Sequence, residues 1–336
     1  MKKLICIAFV LVLVLIGSFT NLAVAQEELP TVKLTEVVHS IFYAPQYVAL
    51  NEEFGFFEKE GINVEMSTAW GGDKAAATLM SNSCDIALIG PEPSIYIYQQ
   101  GAKDYIVNFA QLTNTAGSFL VAREPMPDFK WEDVIGKTII GNRPGGAPQM
   151  VLEYSLKTRG IVPGEDVEVI TSLDFTANAG AFASGTGDFV QLFEPAGSKL
   201  EAQGQGHVVA SFGEAGGNVP YTVFMAKEKY LKNNPELVQA FTNAIYRAQI
   251  WVANHSPQEI ADAIKPFFED TEDEILLKVV ERYKSQGTWD NNPIIERDIF
   301  EHYQDIIIMA GELEEKVKYE TLVNTEFAEK AIENIK

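Results

Sequence analysis

The strongest constraint on this 336-residue chain is a strand–helix alternation that runs twice and then gives way to helix alone. Residues 32–38 alternate apolar and polar side chains as a strand does, and residues 44–60 carry apolar positions at helical spacing until Gly61. Strand patterns at 62–69, 85–89 and 106–112 are separated by helical stretches at 71–80 and 93–100. This order predicts a largely parallel sheet covered by helices. After Gly117 the rhythm restarts, with strands at 118–122, 138–140, 167–170, 189–193 and 208–212 and helices at 146–159, 178–183 and 196–202. A last strand at 221–226 precedes helical segments at 235–254, 257–268, 271–285, 294–310 and from Asn324 onward. The expected architecture is therefore α/β with two lobes. The second lobe (118–224) is inserted into the first (26–117 and 225–336), and two short extended crossings join them. Such a chain can hinge around a crevice, and ligands of open α/β sheets sit beyond the carboxyl ends of the strands.

Charge narrows the partners. Lys and Arg total 26 against 47 for Asp and Glu, a net charge of −21, which opposes a broad grip on nucleic acid or anionic lipid. Lys2 and Lys3 precede an apolar run over 4–19, and Ala23-Val24-Ala25 supplies small residues, so residues 1–25 read as a signal peptide. Its removal leaves 24 basic residues against 47 acidic ones, a mature charge of −23. The run is shorter than the roughly 20 apolar residues of a spanning helix. The expected location is periplasmic or at the cell surface, with an uncleaved anchor as the alternative. Cys6 precedes the apolar run, on the wrong side for a lipid-modified cysteine, and Cys84 is then alone in the mature chain, without an intrachain disulfide partner. Cys84 reads as a small buried hydrophobe.

The loops after the strands carry the candidate chemistry. His39-Ser40-Ile41-Phe42-Tyr43 follows the first strand, and Phe42 and Tyr43 either face a ligand or seal the helix against the sheet. His39 reads as a hydrogen-bonded structural residue. Trp70-Gly71-Gly72-Asp73 places an aromatic ring and glycine amides at a helix start, which suits an anion or is an ordinary N-terminus. In Gly90-Pro91-Glu92-Pro93, Glu92 faces either the crevice or water. In the second lobe, Arg143 with the amides of Gly145 and Gly146 suits an oxyanion, and Arg143 equally suits a surface ion pair. Glu194, after the strand ending at Phe193, would accept hydrogen bonds from an amine or ring N–H and repel a bare anion. Glu194 and Arg143 thus argue for different ligands. The chain holds no nucleophile elbow, zincin motif, P-loop or dinucleotide fingerprint, and its four histidines lack metal-ligand spacing. The expectation is no metal and no cofactor.

Five stretches carry a family resemblance: Tyr43-Ala44-Pro45-Gln46-Tyr47-Val48-Ala49, Gly55-Phe56-Phe57-Glu58-Lys59-Glu60-Gly61-Ile62-Asn63-Val64, Asp85-Ile86-Ala87, Gly136-Lys137-Thr138-Ile139-Ile140-Gly141, and Ala181-Phe182-Ala183-Ser184-Gly185 with Asp188. In this order they resemble the nitrate, sulfonate and taurine substrate-binding proteins of ABC importers, a group that includes the thiamine-pyrimidine precursor proteins. The resemblance implies a type II periplasmic-binding-protein fold, a small-molecule ligand in the cleft, and delivery by a monomer to a membrane permease with its ATPase. It leaves sulfonate, nitrate and pyrimidine-like ligands in competition, with the aromatic candidates favouring an organic solute over bare nitrate. The yeast pyrimidine synthases of this group are the enzymatic alternative. They use a cysteine cluster and a histidine near the first helix, where this chain has Tyr43 and a single mature cysteine.

Overall fold

The computed structural model describes residues 29–335, so the signal-peptide reading of 1–25 lies outside the described residues. The first sheet contains β1 (Thr31–Glu36), β2 (Asn63–Thr68), β3 (Ile86–Ile89) and β4 (Ile106–Thr113), and the second contains β5 (Ser118–Ala122), β6 (Thr138–Ile140), β7 (Glu168–Ile170), β8 (Phe189–Phe193) and β9 (His207–Ser211). A tenth strand, β10 (Thr222–Lys227), returns to the first sheet. The strand orders are β2-β1-β3-β10-β4 and β7-β6-β8-β5-β9. Each sheet has three parallel neighbours, then the strand that enters from the other lobe, antiparallel to its neighbours on both sides. β3 and β4 are buried at every position, and β3 reads as the apolar run of a strand covered on both faces, while β4 also buries Asn108, Gln111 and Thr113. The chain thus has the two-lobed α/β periplasmic-binding-protein fold.

The helix expected over 44–60 is interrupted. Residues Ile41–Tyr43 form one 3₁₀ turn, Ala44–Leu50 is a short α-helix, and a second begins at Phe56. Asn51 is the cause: its Oδ1 accepts the Glu53 amide at 2.9 Å, and its Nδ2 donates to Ala263 O at 2.7 Å. An asparagine side chain that bonds the backbone two residues on competes with helix propagation.

The C-terminal helices bridge more than their sequence position suggests. Pro235–Asn254 packs on the Ala44–Leu50 and Glu326–Asn334 helices of the first lobe. Asp273–Ser285 packs on Pro257–Ile264 and the Ile41–Tyr43 turn and also touches the Ala196–Ala202 helix, and Arg297–Ala310 lies along Ala147–Lys157, these last two partners being in the second lobe. At the outward crossing, Tyr283 Oη donates to Gly117 O at 2.7 Å. Gly117 has no room for a side chain, because a Cβ there would run into the ring of Phe42. One apolar cluster therefore continues from the first lobe through Phe42, Tyr221 and Tyr283 to Phe119 and Phe193 of the second.

Candidate functional site

A cavity of about 650 Å³ lies between the two sheets. Its walls follow the strand rule. After β1 come Val38 and Tyr43, after β2 the 70–74 loop, after β3 Glu92 and Tyr96. The opposite wall takes residues 142–148 after β6, 174–176 after β7, and Phe193 at the end of β8. Tyr221 and Thr222 of the return crossing line it too.

Glu92 is the buried carboxylate of this lining, which also carries the exposed Asp73 and Asp174. Glu92 opens the helix Glu92–Gln99, is 5% exposed, and folds back over its own loop, where any Cβ on Gly90 would collide with the carboxyl group. Its Oε2 accepts from Tyr303 Oη at 2.7 Å, and its Oε1 accepts the Ala147 amide at 3.3 Å from the other lobe. Burial pushes the Glu92 carboxyl up from its ordinary value, against these two hydrogen bonds. Tyr96 stands one turn further along the same helix face and donates to Gly145 O at 3.2 Å, a second tie across the cleft.

The phenols around the carboxylate stay neutral. Burial first, and the Glu36 and Glu92 charges after it, hold the Tyr43 hydroxyl far above its ordinary value. Tyr221 is shifted the same way by burial and then by Glu92. Tyr221 is 2% exposed, and among the described residues its hydroxyl makes no well-formed hydrogen bond, with only the Ser118 side chain acting on it. Trp70 is the opposite case: it is 46% exposed at the mouth of the cavity, with φ of +58°. Behind the second wall, Asn142 Nδ2 donates to Gln191 Oε1 at 2.9 Å and the Asn142 amide donates to Gln149 Oε1 at 3.0 Å, which fixes the loop that carries Arg143.

The residues expected from sequence divide into two sets. Tyr43, Trp70, Gly71, Gly72, Glu92, Arg143, Gly145 and Gly146 all line the cavity. Arg143 is not free, however: Asp174 pairs with it from its own lobe, and Asp73 lies 3.6 Å away across the cleft. The Gly146 amide is turned to Arg143 O at 3.4 Å, and the Gly71 amide to Val37 O at 3.1 Å. Phe42 and Glu194 are corrections, since neither lines the cavity. Phe42 is fully buried behind Tyr43, packed on Tyr221 and Tyr283, and its carbonyl accepts from Trp289 Nε1 at 2.8 Å. Glu194 points away: its carboxylate pairs with Arg282, and it accepts the Ser198 amide at 2.8 Å and the Ser198 hydroxyl at 3.0 Å. Its carbonyl accepts from Ser40 Oγ at 2.7 Å, so Glu194 braces the lobes from behind.

Tyr96, Tyr221, Asp174 and Phe175 were missed. The four-residue spacing from Glu92 points to Tyr96, and the rule that directs attention to every loop after a strand points to Asp174 and Phe175 after β7; Tyr221, on the return crossing before β10, has neither signal. His39 lies outside the lining. Its Nδ1 faces Glu36 at 3.2 Å, its Nε2 faces Phe267 O at 2.8 Å, and the Glu36 bond raises its pKa despite burial. Cys84 is buried beside Thr78, away from the cavity.

The fold has counterparts among known proteins. YtlA of Bacillus subtilis (strain 168), named as a binding protein, is 52% identical over 313 residues, which covers 93% of each chain. The structure of the alkanesulfonate-binding protein SsuA from Xanthomonas axonopodis pv. citri superposes with a TM-score of 0.70 at 16% identity, over 89% of this chain and 99% of that one. The periplasmic nitrate-binding protein NrtA from Synechocystis PCC 6803 does so with a TM-score of 0.71 at 18% identity, over 92% of this chain and 90% of that one. The sequence profile of the NMT1-like family matches residues 25–265, and with it the chain belongs to the NMT1-like family.

Proposed function

We propose that this protein is the extracytoplasmic solute-binding component of an ABC importer, which captures a small organic ligand between its lobes and passes it unaltered to a permease and its ATPase. The observation that carries the reading is the cavity of about 650 Å³, walled by both lobes at the carboxyl ends of their strands. That volume falls within the roughly 300–1,000 Å³ of small-molecule sites. Relatives that bind alkanesulfonate and nitrate support a transport role. In this reading 26–117 with 225–336 and 118–224 are the units that move, except that Thr222–Phe224 stay with the first sheet as part of β10, and Tyr43, Trp70 and Glu92 from one side meet Arg143, Gly145 and Gly146 from the other around the solute. The energetic requirement is that the solute binds the closed form better than the open one. The protein should be incubated with a pool of cellular solutes, and what it retains identified by mass spectrometry. A solute recovered chemically unchanged, together with a smaller radius of gyration in X-ray scattering when it is bound, is the expected result. A converted product, or binding without compaction, would refute the proposal.

A further inference from the structure

We infer that the solute held in this cleft is a small organic cation with at least one N–H group, such as a protonated amine or amidine, and that Glu92 is the residue that selects it. The inference rests on the solute-binding reading and names the charge class of the solute. Four observations lead to it. First, the deepest charge in the cavity is a carboxylate in a shaped seat: Glu92 is 5% exposed, Gly90 leaves it room, and Tyr303 and the Ala147 amide each take one lone pair of its two oxygens. The Glu92 backbone amide bonds the carboxyl as well, and with about four acceptor sites on its two oxygens the group keeps room for a donor in the cavity.

Second, the place an oxyanion would take is filled. The helix Ala147–Lys157 presents its positive end to the cleft, and its Ala147 amide already holds the Glu92 carboxylate, so a sulfonate there would meet a like charge. Arg143, the other group suited to an oxyanion, is engaged by Asp73 and Asp174, and Glu312 lies beside Gly145. Lys74, the remaining cation on the lining, is exposed to water at the rim. Third, the Tyr221 hydroxyl, also buried in this lining, makes no well-formed hydrogen bond among the described residues, with only the Ser118 side chain acting on it, and is open to a polar group from a ligand. Fourth, six aromatic rings line the same space, those of Tyr43, Trp70, Tyr96, Phe175, Phe193 and Tyr221, and the faces of such rings attract cations.

The test uses the folded protein and five probes of similar shape: benzamidinium, benzylammonium, benzyltrimethylammonium, benzyl alcohol and benzenesulfonate, each by thermal shift and by calorimetry at millimolar concentration. Benzamidinium or benzylammonium should raise the melting temperature and benzenesulfonate should not. Glu92→Gln keeps the size of the side chain and removes its charge; its one oxygen can still accept the Ala147 amide while its NH2 group donates to Tyr303 Oη, and it should weaken the N–H cations by about tenfold or more. Tyr221→Phe keeps the ring and should weaken the N–H cations while leaving benzyltrimethylammonium unchanged. Benzenesulfonate binding as tightly as the cations, Glu92→Gln leaving cation affinity within about twofold, preference for the trimethylated probe, or silence of the whole panel would each overturn the inference. None of these outcomes touches the solute-binding reading, which is judged by compaction with a retained solute whatever its charge.

Discussion

Replacing Arg282 by Met separates the two roles that the sequence leaves open for Glu194. The Glu194 side chain is fully buried, the Arg282 side chain is one-fifth exposed, and the guanidinium also reaches Glu201 Oε2 at 3.1 Å and lies 5.3 Å from the Phe119 ring centre. Breaking a buried ion pair by removing one partner costs about 3–5 kcal/mol, because the other charge is left without compensation. Here the carboxylate would keep its two bonds from Ser198, at 2.8 and 3.0 Å, which places the expected loss near the lower end, about 3 kcal/mol. That corresponds to a melting temperature lower by roughly 6–12 °C. Urea unfolding followed by circular dichroism reads the loss directly. The double variant Arg282→Met with Glu194→Gln removes the stranded charge and should recover about half of it or more. If the single variant loses less than about 1 kcal/mol, or the double variant is no more stable than the single one, the brace is not what holds this side of the molecule. Glu194→Gln alone should leave solute affinity within about twofold, since the carboxylate faces away from the cavity.

Three further outcomes follow from the same geometry. Burial raises the Glu92 carboxyl above the ordinary value of about 4.3, so between those two pH values the folded chain binds more protons than the unfolded one, and stability falls as pH rises through that window. Glu92→Gln removes this loss, so its stability relative to the parent should climb with pH in urea midpoints taken from about pH 4 to 8; a constant difference would refute the sign. Gly117→Ala drives a methyl group into the Phe42 ring and should cost about 2–3 kcal/mol, measured as a lower urea midpoint, whereas a near-neutral result would contradict the packing at the crossing. Trp70→Ala should change stability by less than about 0.5 kcal/mol, because the ring is half in water, yet weaken solute binding several-fold in calorimetry.

The fold was legible because its determinants are local and repeated. β5, β6 and β8 fall where their apolar runs place them, and the inserted lobe shows as a restart of the rhythm after Gly117. The helix break at Asn51 was not legible, because an asparagine whose side chain bonds its own backbone leaves the apolar spacing intact. In the site, the loops were legible and the directions of their side chains were not. Glu92 and Glu194 both follow strands of the same rule, but one faces the cavity and the other meets Arg282, a residue 88 positions away in a helix that bridges the lobes. Only the packing of that helix decides between them. Phe42 and Tyr43 are adjacent in one turn and share an apolar character, yet the first fills the crossing and the second the cavity wall.

The brace behind the crossings and the ties across the cleft have opposite consequences for opening. Tyr283 to Gly117 and Ser40 to Glu194 lie beside the crossings, where a rotation of the lobes moves atoms least. Arg143 to Asp73 spans the exposed rim, where it moves atoms most, and Tyr96 to Gly145 and the deeper Glu92 to Ala147 cross the cleft below it. A solute that draws the lobes together therefore adds its contacts to these ties, and loss of one tie should shift the balance toward the open form by the worth of that bond. Tyr96→Phe removes a single neutral hydrogen bond of 3.2 Å and keeps the ring in the wall. At about 0.5–1.5 kcal/mol the closed-to-open ratio of the solute-free protein should fall by roughly 2- to 13-fold. Distance distributions between fluorophores placed on the two lobes read that ratio without any ligand. An unchanged distribution, or one shifted toward closure, would mean that the ties across the cleft follow closure and contribute nothing to its free energy.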